Sequence, residues 1–260
     1  MNWNPEEYAR NSSAQLTWAR ELIDRLKLDG SETVLDVGCG DGKITAEFVR
    51  VLPDGFVLGT DSSPAFIDYA RSHYPPERFP NLRFEMIDAR QLSSDRSFDL
   101  IFSNAALHWV DDHLAFLSGC ARLLRPGGRL VVSCGGKGNA ADIIAVLESI
   151  IRQPTWSNYF TDFEFPYYFY SPQDYRPLLD TAGLRANRLE LVEKDMIHSG
   201  REEMAGWIRT TWLPYLQRVP VHLREKLIDE VVEAYLAINP LDDKGRSHVR
   251  MIRLELEAAA

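Results

Sequence analysis

Val34-Leu35-Asp36-Val37-Gly38-Cys39-Gly40-Asp41-Gly42-Lys43 is the stretch on which the reading of this chain turns. An apolar run breaks into glycines at alternate positions, and an amphipathic segment follows at once. Strands buried on both faces read as continuous apolar runs, and glycine supplies the positive φ that a tight turn needs. The stretch therefore predicts a strand, a turn and a helix start, the local architecture of a nucleotide-binding βα loop. A dinucleotide fingerprint places its glycines first, third and sixth, which would require glycine at 43, where this chain has Lys43. A carboxylate, Asp36, also stands two residues before the first glycine. Such a loop suits an adenosine with a cationic sulfur and an amino-acid tail better than it suits a pyrophosphate.

Working outward, apolar side chains at Leu16, Ala19, Leu22, Ile23 and Leu26 repeat with a helical period over residues 12 to 27. Strands are predicted at 34–37, 56–60, 82–87, 98–102 and 129–133. Helices between them cover 44–52, a segment capped by Ser62-Ser63-Pro64, and 114–124. Strands alternating with helices at this spacing predict an α/β fold, a Rossmann-like, doubly wound, mostly parallel sheet. The second half adds a helix at 140–151, an aromatic-rich run from Trp156 to Tyr175 and a short helix at 174–183. A sixth strand follows at 188–196, then a helical insertion at 201–236 and a final strand at 248–257. Seven strands are expected in all, the last antiparallel. Residues 1–200 and 237–260 are expected to form the catalytic domain, with 201–236 as a helical cap over its carboxyl edge.

The 260 residues are 45% apolar, enough for one sizeable core, and carry 38 acids against 29 bases for a net charge of −9. That balance argues against a nucleic-acid groove as the main business. No apolar run approaches the roughly 20 residues of a membrane span. The amino terminus has neither a basic nor an apolar segment of the secretory kind, and Cys39, Cys120 and Cys134 lack metal-ligand spacing. The expectation is a cytoplasmic protein without a metal, working on a small molecule as a monomer or small homo-oligomer.

In open α/β sheets ligands bind outside the carboxyl ends of the strands. The second strand ends at Asp61, 21 positions beyond Gly40, close to the spacing at which an acid accepts from ribose hydroxyls. Taken alone, Asp61 would read as a helix cap. The third ends at Asp88-Ala89, where a carboxylate can accept from an exocyclic adenine amine beside a small neighbour. The fourth ends at Ser103-Asn104-Ala105-Ala106-Leu107-His108-Trp109, facing the reacting end of the ligand.

Together these pieces resemble the class I S-adenosylmethionine-dependent methyltransferases, over roughly residues 30 to 135. The resemblance rests on the glycine loop, Asp61, Asp88-Ala89, Phe98-Asp99-Leu100-Ile101 and Leu124-Arg125-Pro126-Gly127-Gly128. It implies S-adenosyl-L-methionine as cofactor and S-adenosyl-L-homocysteine as product. Gly38 and Gly40 would lie near the methionine moiety, Asp36 beneath the loop, Asp61 on ribose, Asp88 and Ala89 at adenine, and Ser62 beside them. Asn104 would face the cofactor. Asn2-Trp3-Asn4-Pro5-Glu6-Glu7-Tyr8 and Asn104 to Trp109 further resemble the trans-aconitate methyltransferases, and His108-Trp109 the juvenile hormone acid methyltransferases. Both methylate a carboxylate oxygen. The resemblance makes Tyr8, Gln15 and Trp18 contacts for the methionine end, although Trp18 reads equally well as a core anchor. The chain departs from the trans-aconitate pattern at His108, where glutamine is expected.

An ionised carboxylate needs no base, so alignment and exclusion of water can carry the reaction. A phenol, amine or carbon acid would instead call on His108 as base. His108 and Trp109 are thus the candidate catalytic residues, and His108, Trp109, Trp212 and Tyr215 the candidate substrate contacts. Arg209 points elsewhere and reads as a solvated surface arginine. Tyr167 to Tyr170 reads either as a pocket lining or as edge-strand packing. Two further readings are a nicotinamide-dependent oxidoreductase, against which Lys43 counts, and a non-catalytic cofactor-binding protein on the same sheet.

Overall fold

The computed structural model describes residues 3–260; Met1 and Asn2, which enter the reading of the amino terminus, lie outside them. The elements run α1 (Pro5–Asn11), α2 (Ser13–Leu26), β1 (Thr33–Val37), α3 (Lys43–Val51), β2 (Phe56–Asp61), α4 (Pro64–His73) and β3 (Leu82–Met86). Next come β4 (Phe98–Asn104), α5 (His113–Leu123), β5 (Leu124–Gly135), α6 (Ala141–Ile151), α7 (Pro172–Ala182) and β6 (Arg185–His198). The chain closes with α8 (Arg201–Thr211), α9 (Leu213–Leu216), α10 (Val221–Ile238) and β7 (Ser247–Ala259).

The strands form one seven-stranded sheet in the order β3-β2-β1-β4-β5-β7-β6. β1 to β5 pair in parallel, and β7 runs antiparallel to β5. This is the Rossmann-like, mostly parallel sheet that the alternating pattern predicts. Chain order reverses direction at β1, so the crevice for a ligand opens at the carboxyl ends of β1 and β4. Alternation within β4 shows why such strands carry apolar runs. Leu100 and Phe102 pack into one core with Phe48 and Ile67, while Ile101 between them packs into another with Phe116 and Leu117. Helices cover both faces, as a parallel sheet requires.

Two compact units divide the chain. One comprises Ser13–Lys137, Tyr167–Val192 and Arg253–Ala260 and carries β1 to β5. The other comprises the described residues through Ser12, with Gly138–Pro166 and Glu193–Ile252, and includes α8, α9 and α10. No helix among the described residues is long and apolar enough to cross a membrane. Cys39, Cys120 and Cys134 are buried free thiols.

Three local differences from the sequence reading have physical causes. α1 was not anticipated, yet Asn4 caps it by accepting from the Glu7 amide, and Pro5 occupies its first turn. The run Tyr167 to Tyr170 is not a strand; Tyr170 bridges to Gly136, and the Tyr168 amide donates to the His108 carbonyl. The helical insertion is broken into three, because Pro214 and Pro220 each lack the amide needed to continue a helix.

Phe102 is fully buried, its ring edge-on to Phe48 at 5.1 Å. Phe102→Ala is expected to lower the unfolding free energy by about 3–5 kcal/mol in urea titration; a loss below about 1 kcal/mol would contradict this packing.

Candidate active site

The glycine turn sits at the carboxyl end of β1. Gly38 has φ +76, and a Cβ placed there would collide with the Cβ of Ala106, just beyond β4. Gly42 has φ +80, with Phe84 and Ala70 occupying the space of a side chain. The turn is tied down from β2: the Gly38 and Cys39 amides both donate to the Thr60 carbonyl, at 2.7 and 2.9 Å. On the β4 side the Ser103 hydroxyl donates to the Val37 carbonyl at 2.8 Å.

Asp61 closes the turn from the end of β2. One carboxylate oxygen accepts from the Gly40 amide at 3.0 Å, the other from the Ser63 amide at 2.8 Å. Burial raises its pKa, against the amides of Ser63, Gly40 and Ser62, which lower it. Asp61 therefore does not cap α4, whose N-cap is Ser63; it turns the chain into Ser63 and grips the glycine turn. Asp36, on β1 beneath the loop, accepts from the Thr45 hydroxyl at 2.7 Å. Burial first, then the nearby Asp61 and Asp41 charges, push its pKa up to about 7.

These contacts decide which ligand the turn suits. A phosphate needs unengaged amides, but the Gly42 amide donates to Cys39, the Lys43 amide to Asp41, and those of Gly38, Cys39 and Gly40 are bonded as above. The turn instead presents carboxylates. Asn104 and Gln15 extend this bias. Asn104 is only 5% exposed and Gln15 7%. The Asn104 side-chain amide donates to the Gln15 carbonyl at 3.2 Å, and the side-chain oxygens of both residues are buried without a partner. A buried acceptor left unmatched is costly, so these oxygens call for a donor. S-adenosylmethionine brings an ammonium, ribose hydroxyls and an exocyclic amine, and the residues present fit it.

Asp88 caps the 3₁₀ turn Ala89–Gln91 and is paired with Arg90, whose Nη2 lies 2.6 Å from one oxygen. Bonding to Arg90 holds its pKa below the usual carboxylate range. A carboxylate has about four acceptor positions, so a further donor can still be taken. Ala89 is half-buried beside it, and Ser62 is exposed at the start of α4. Trp18 is buried, with the Arg253 guanidinium 5.6 Å above its ring, which satisfies the core-anchor reading.

His108 lies on a 3₁₀ turn, Leu107–Trp109, after β4. Its Nδ1 accepts from the Gly135 amide at 3.3 Å. Its ring stands among Trp109, Tyr167 and Phe169, at centroid distances of 5.6, 6.2 and 6.1 Å. Burial, then the Arg253 charge and then His113, lower its pKa to about 3. His113 anchors the same turn: its Nε2 donates to the Leu107 carbonyl at 2.8 Å, and its Nδ1 accepts from the Tyr175 hydroxyl at 3.0 Å. Burial lowers its pKa to about 4. Both histidines bind a proton less readily folded than unfolded, so stability is present above about pH 6.5 and lost as pH falls toward about 4. A further constraint is Ala105, at φ +59, whose backbone amide donates to the Ser133 carbonyl at 2.8 Å. That region costs a non-glycine residue roughly 1–2 kcal/mol.

One unit thus gathers Gln15, Trp18, Asp36, Gly38, Gly40, Asp61, Ser62, Asp88, Ala89, Asn104, His108 and Trp109. Tyr8, Trp212 and Tyr215 belong to the other unit. There Trp212 packs edge-on to Trp207 and Tyr215, at 5.8 and 5.9 Å. Arg209 is not simply solvated: it grips Glu225 through Nε and Nη2, at 2.8 and 2.6 Å, and lies 3.5 Å from Glu7. Sequence reasoning missed Tyr167 and Phe169 as neighbours of His108, and it missed His113, Tyr175 and Arg253. The signal for Arg253 was present, a lone charge between Met251-Ile252 and Leu254.

Residues 35–132 match the model of a methyltransferase domain. A trans-aconitate 2-methyltransferase of Deinococcus radiodurans is 35% identical over 225 residues, spanning 84% of each chain. A Bacillus halodurans C-125 protein of known structure superposes with a TM-score of 0.62 at 18% identity, covering 94% of this chain and 98% of that one. The Streptomyces coelicolor A3(2) geranyl diphosphate C-methyltransferase, solved with Mg2+, geranyl diphosphate and S-adenosyl-L-homocysteine, gives 0.54 at 18% identity over 94% and 78%. At that identity the two structures speak for the fold. The chain belongs to the class I S-adenosylmethionine-dependent methyltransferases. It is an enzyme, and its cofactor is S-adenosyl-L-methionine.

Asp61→Ala is expected to weaken S-adenosyl-L-homocysteine binding by about 2–3 kcal/mol, on the order of 30–150-fold in Kd by calorimetry. An unchanged Kd would remove Asp61 from the cofactor site.

Proposed function

We propose that this enzyme transfers the methyl group to a carboxylate oxygen of a small organic acid. The observation that carries the reading is the state of His108. Its Nδ1 lone pair is occupied by the Gly135 amide, which leaves the proton on Nε2. With its pKa held near 3, the ring is neutral at working pH and offers a donor, not a base. A general base works best with a pKa near the operating pH, so a phenol, amine or carbon acid finds little help here. An ionised carboxylate needs none. The carboxylate-directed name of the Deinococcus radiodurans relative supports the same class of acceptor.

Bound, the cofactor supplies an electrophilic methyl on a sulfonium. In this reading Gly38 and Gly40 border its methionine moiety, and the Asn104 and Gln15 oxygens receive the ammonium, with Trp18 at the same end. Asp61 accepts from the ribose hydroxyls. Asp88 accepts from the adenine amine, beside Ala89 and Ser62, and Asp36 lies beneath the loop. His108 donates through Nε2 to the acceptor carboxylate and orients it. Trp109, Tyr167 and Phe169, with Trp109 and Tyr167 at 4.8 Å and Tyr167 stacked on Phe169 at 5.6 Å, exclude water on that side. Alignment in a water-poor site is then the main source of rate.

The test is a pH profile. Because His108 stays neutral down to about pH 3, kcat/KM on a carboxylic acid should be level between about pH 6 and 8.5. His108→Gln keeps a donor and should cost about tenfold in rate with the same profile. A rising limb near neutral pH that disappears in the variant would overturn this reading in favour of general-base catalysis.

A further inference from the structure

His113 opens α5 and is only 1% exposed. Its Nε2 lies 2.8 Å from the Leu107 carbonyl and its Nδ1 3.0 Å from the Tyr175 hydroxyl. A carbonyl can only accept, so Nε2 carries the proton. Burial holds the pKa of the ring at about 4, so it is neutral at working pH, Nδ1 is an acceptor, and the hydroxyl from α7 donates to it. Tyr175 is itself fully buried, and its ring and that of Tyr170 stand 5.4 and 4.7 Å from the imidazole. Each ring nitrogen has one partner and one role.

The carbonyl that His113 holds belongs to the turn joining the cofactor loop to His108. Ala106 fills the space a side chain at Gly38 would need, which sets the turn against that loop. Leu107 follows, and then His108, whose carbonyl takes the Tyr168 amide at 3.0 Å. Within the turn the Trp109 amide donates to Ala106 and the Val110 amide to Leu107, at 3.0 and 2.9 Å. At its start Ala105 has φ +59, a conformation that persists in a non-glycine residue only where the surroundings hold it. His113 supplies such a hold from outside the turn, and Tyr175 fixes His113. A buried polar pair is a poor device for stability alone, because apolar groups of the same shape can do as well. What a fully satisfied pair adds is a single geometry.

We propose that His113 and Tyr175 are positioning residues for methyl transfer: through the Leu107 carbonyl they fix the turn that carries His108 against the cofactor loop, and so align the acceptor with the methyl donor. The inference rests on the reading above in taking His108 as the acceptor contact. An in-line displacement tolerates little error, and a misplacement of about 1 Å caused far from the reacting atoms can cost on the order of 100-fold in rate. Loss of the pair therefore falls on kcat, while the contacts that bind each ligand remain.

The experiment uses the full chain with Tyr175→Phe, His113→Gln and His113→Leu, assayed well below their unfolding midpoints with folding checked by circular dichroism. Tyr175→Phe removes one oxygen and keeps the packing, so it decides the matter even where His113→Leu does not fold. Steady-state kinetics use trans-aconitate and sorbate as acceptors, and S-adenosyl-L-homocysteine binding is measured by calorimetry. Tyr175→Phe should lower kcat about tenfold and His113→Leu on the order of 100-fold, with KM and Kd within about threefold of wild type. His113→Gln, which places an amide nitrogen near the position of Nε2, should recover about tenfold over His113→Leu. In a His108→Ala background Tyr175→Phe should cost less than about threefold, because residues that act as a unit are not additive. An unchanged kcat in Tyr175→Phe overturns the proposal, as do an additive double variant and a loss confined to KM or to the Kd. Should the chain methylate phenols or amines and no acid, the carboxylate reading fails, while the same kcat pattern on those acceptors upholds the positioning pair.

Discussion

The approach of the β1 glycine turn to Ala106 is the constraint from which the carboxyl edge is built. Position 38 must adopt a left-handed φ and carry no Cβ, because Ala106 occupies that space. Two amides of the turn are pinned to Thr60, and Ser103 ties β4 to Val37. With those distances set, Asp61 can reach the Gly40 amide, and Asn104 can reach the Gln15 carbonyl. A bulkier residue at 38 would part β1 from the segment after β4 and disperse the whole set.

Electrostatically, the edge is an acceptor surface. Its backbone amides are spent inside the protein on carbonyls and on Asp41 and Asp61, while Asn104 and Gln15 hold buried side-chain oxygens without a partner. A mostly anionic ligand would meet unmatched lone pairs, whereas a ligand rich in N–H and O–H groups meets partners. The pKa of Asp36, raised by burial and by neighbouring acids, has the same origin. On the β5 and β7 side the sign changes, with a buried guanidinium behind His108. The two halves of the edge thus differ in charge.

Rigidity around His108 comes from a chain of neutral contacts. His113 holds the Leu107 carbonyl, Tyr175 holds His113, and Gly135 holds His108. Because both ring nitrogens of His113 and Nδ1 of His108 have their roles fixed by partners, the imidazole of His108 is kept in one tautomer. Burial of the whole group is what keeps it uncharged.

Much of this was legible in one dimension. Alternating apolar runs and helical periods are local, so β1 to β5, the helices between them and the strand-end residues Asp61, Asp88 and Asn104 could be read from spacing. The start of α1 is legible too, through Asn4 and Pro5. Other properties depend on residues far apart in sequence. The partners of Arg253 are Ser133 and Trp18, those of His108 are Gly135, Tyr167 and Phe169, and Arg209 is held by Glu225 and Glu7. By itself, then, the sequence determined the sheet, its ligand-bearing edge and the class of cofactor, because backbone propensity and side-chain periodicity act between near neighbours. Only the tertiary structure decided that His108 is buried and held through Nδ1 by Gly135, and that Arg253 stands at the edge, because burial and charge fields exist only once distant strands are paired.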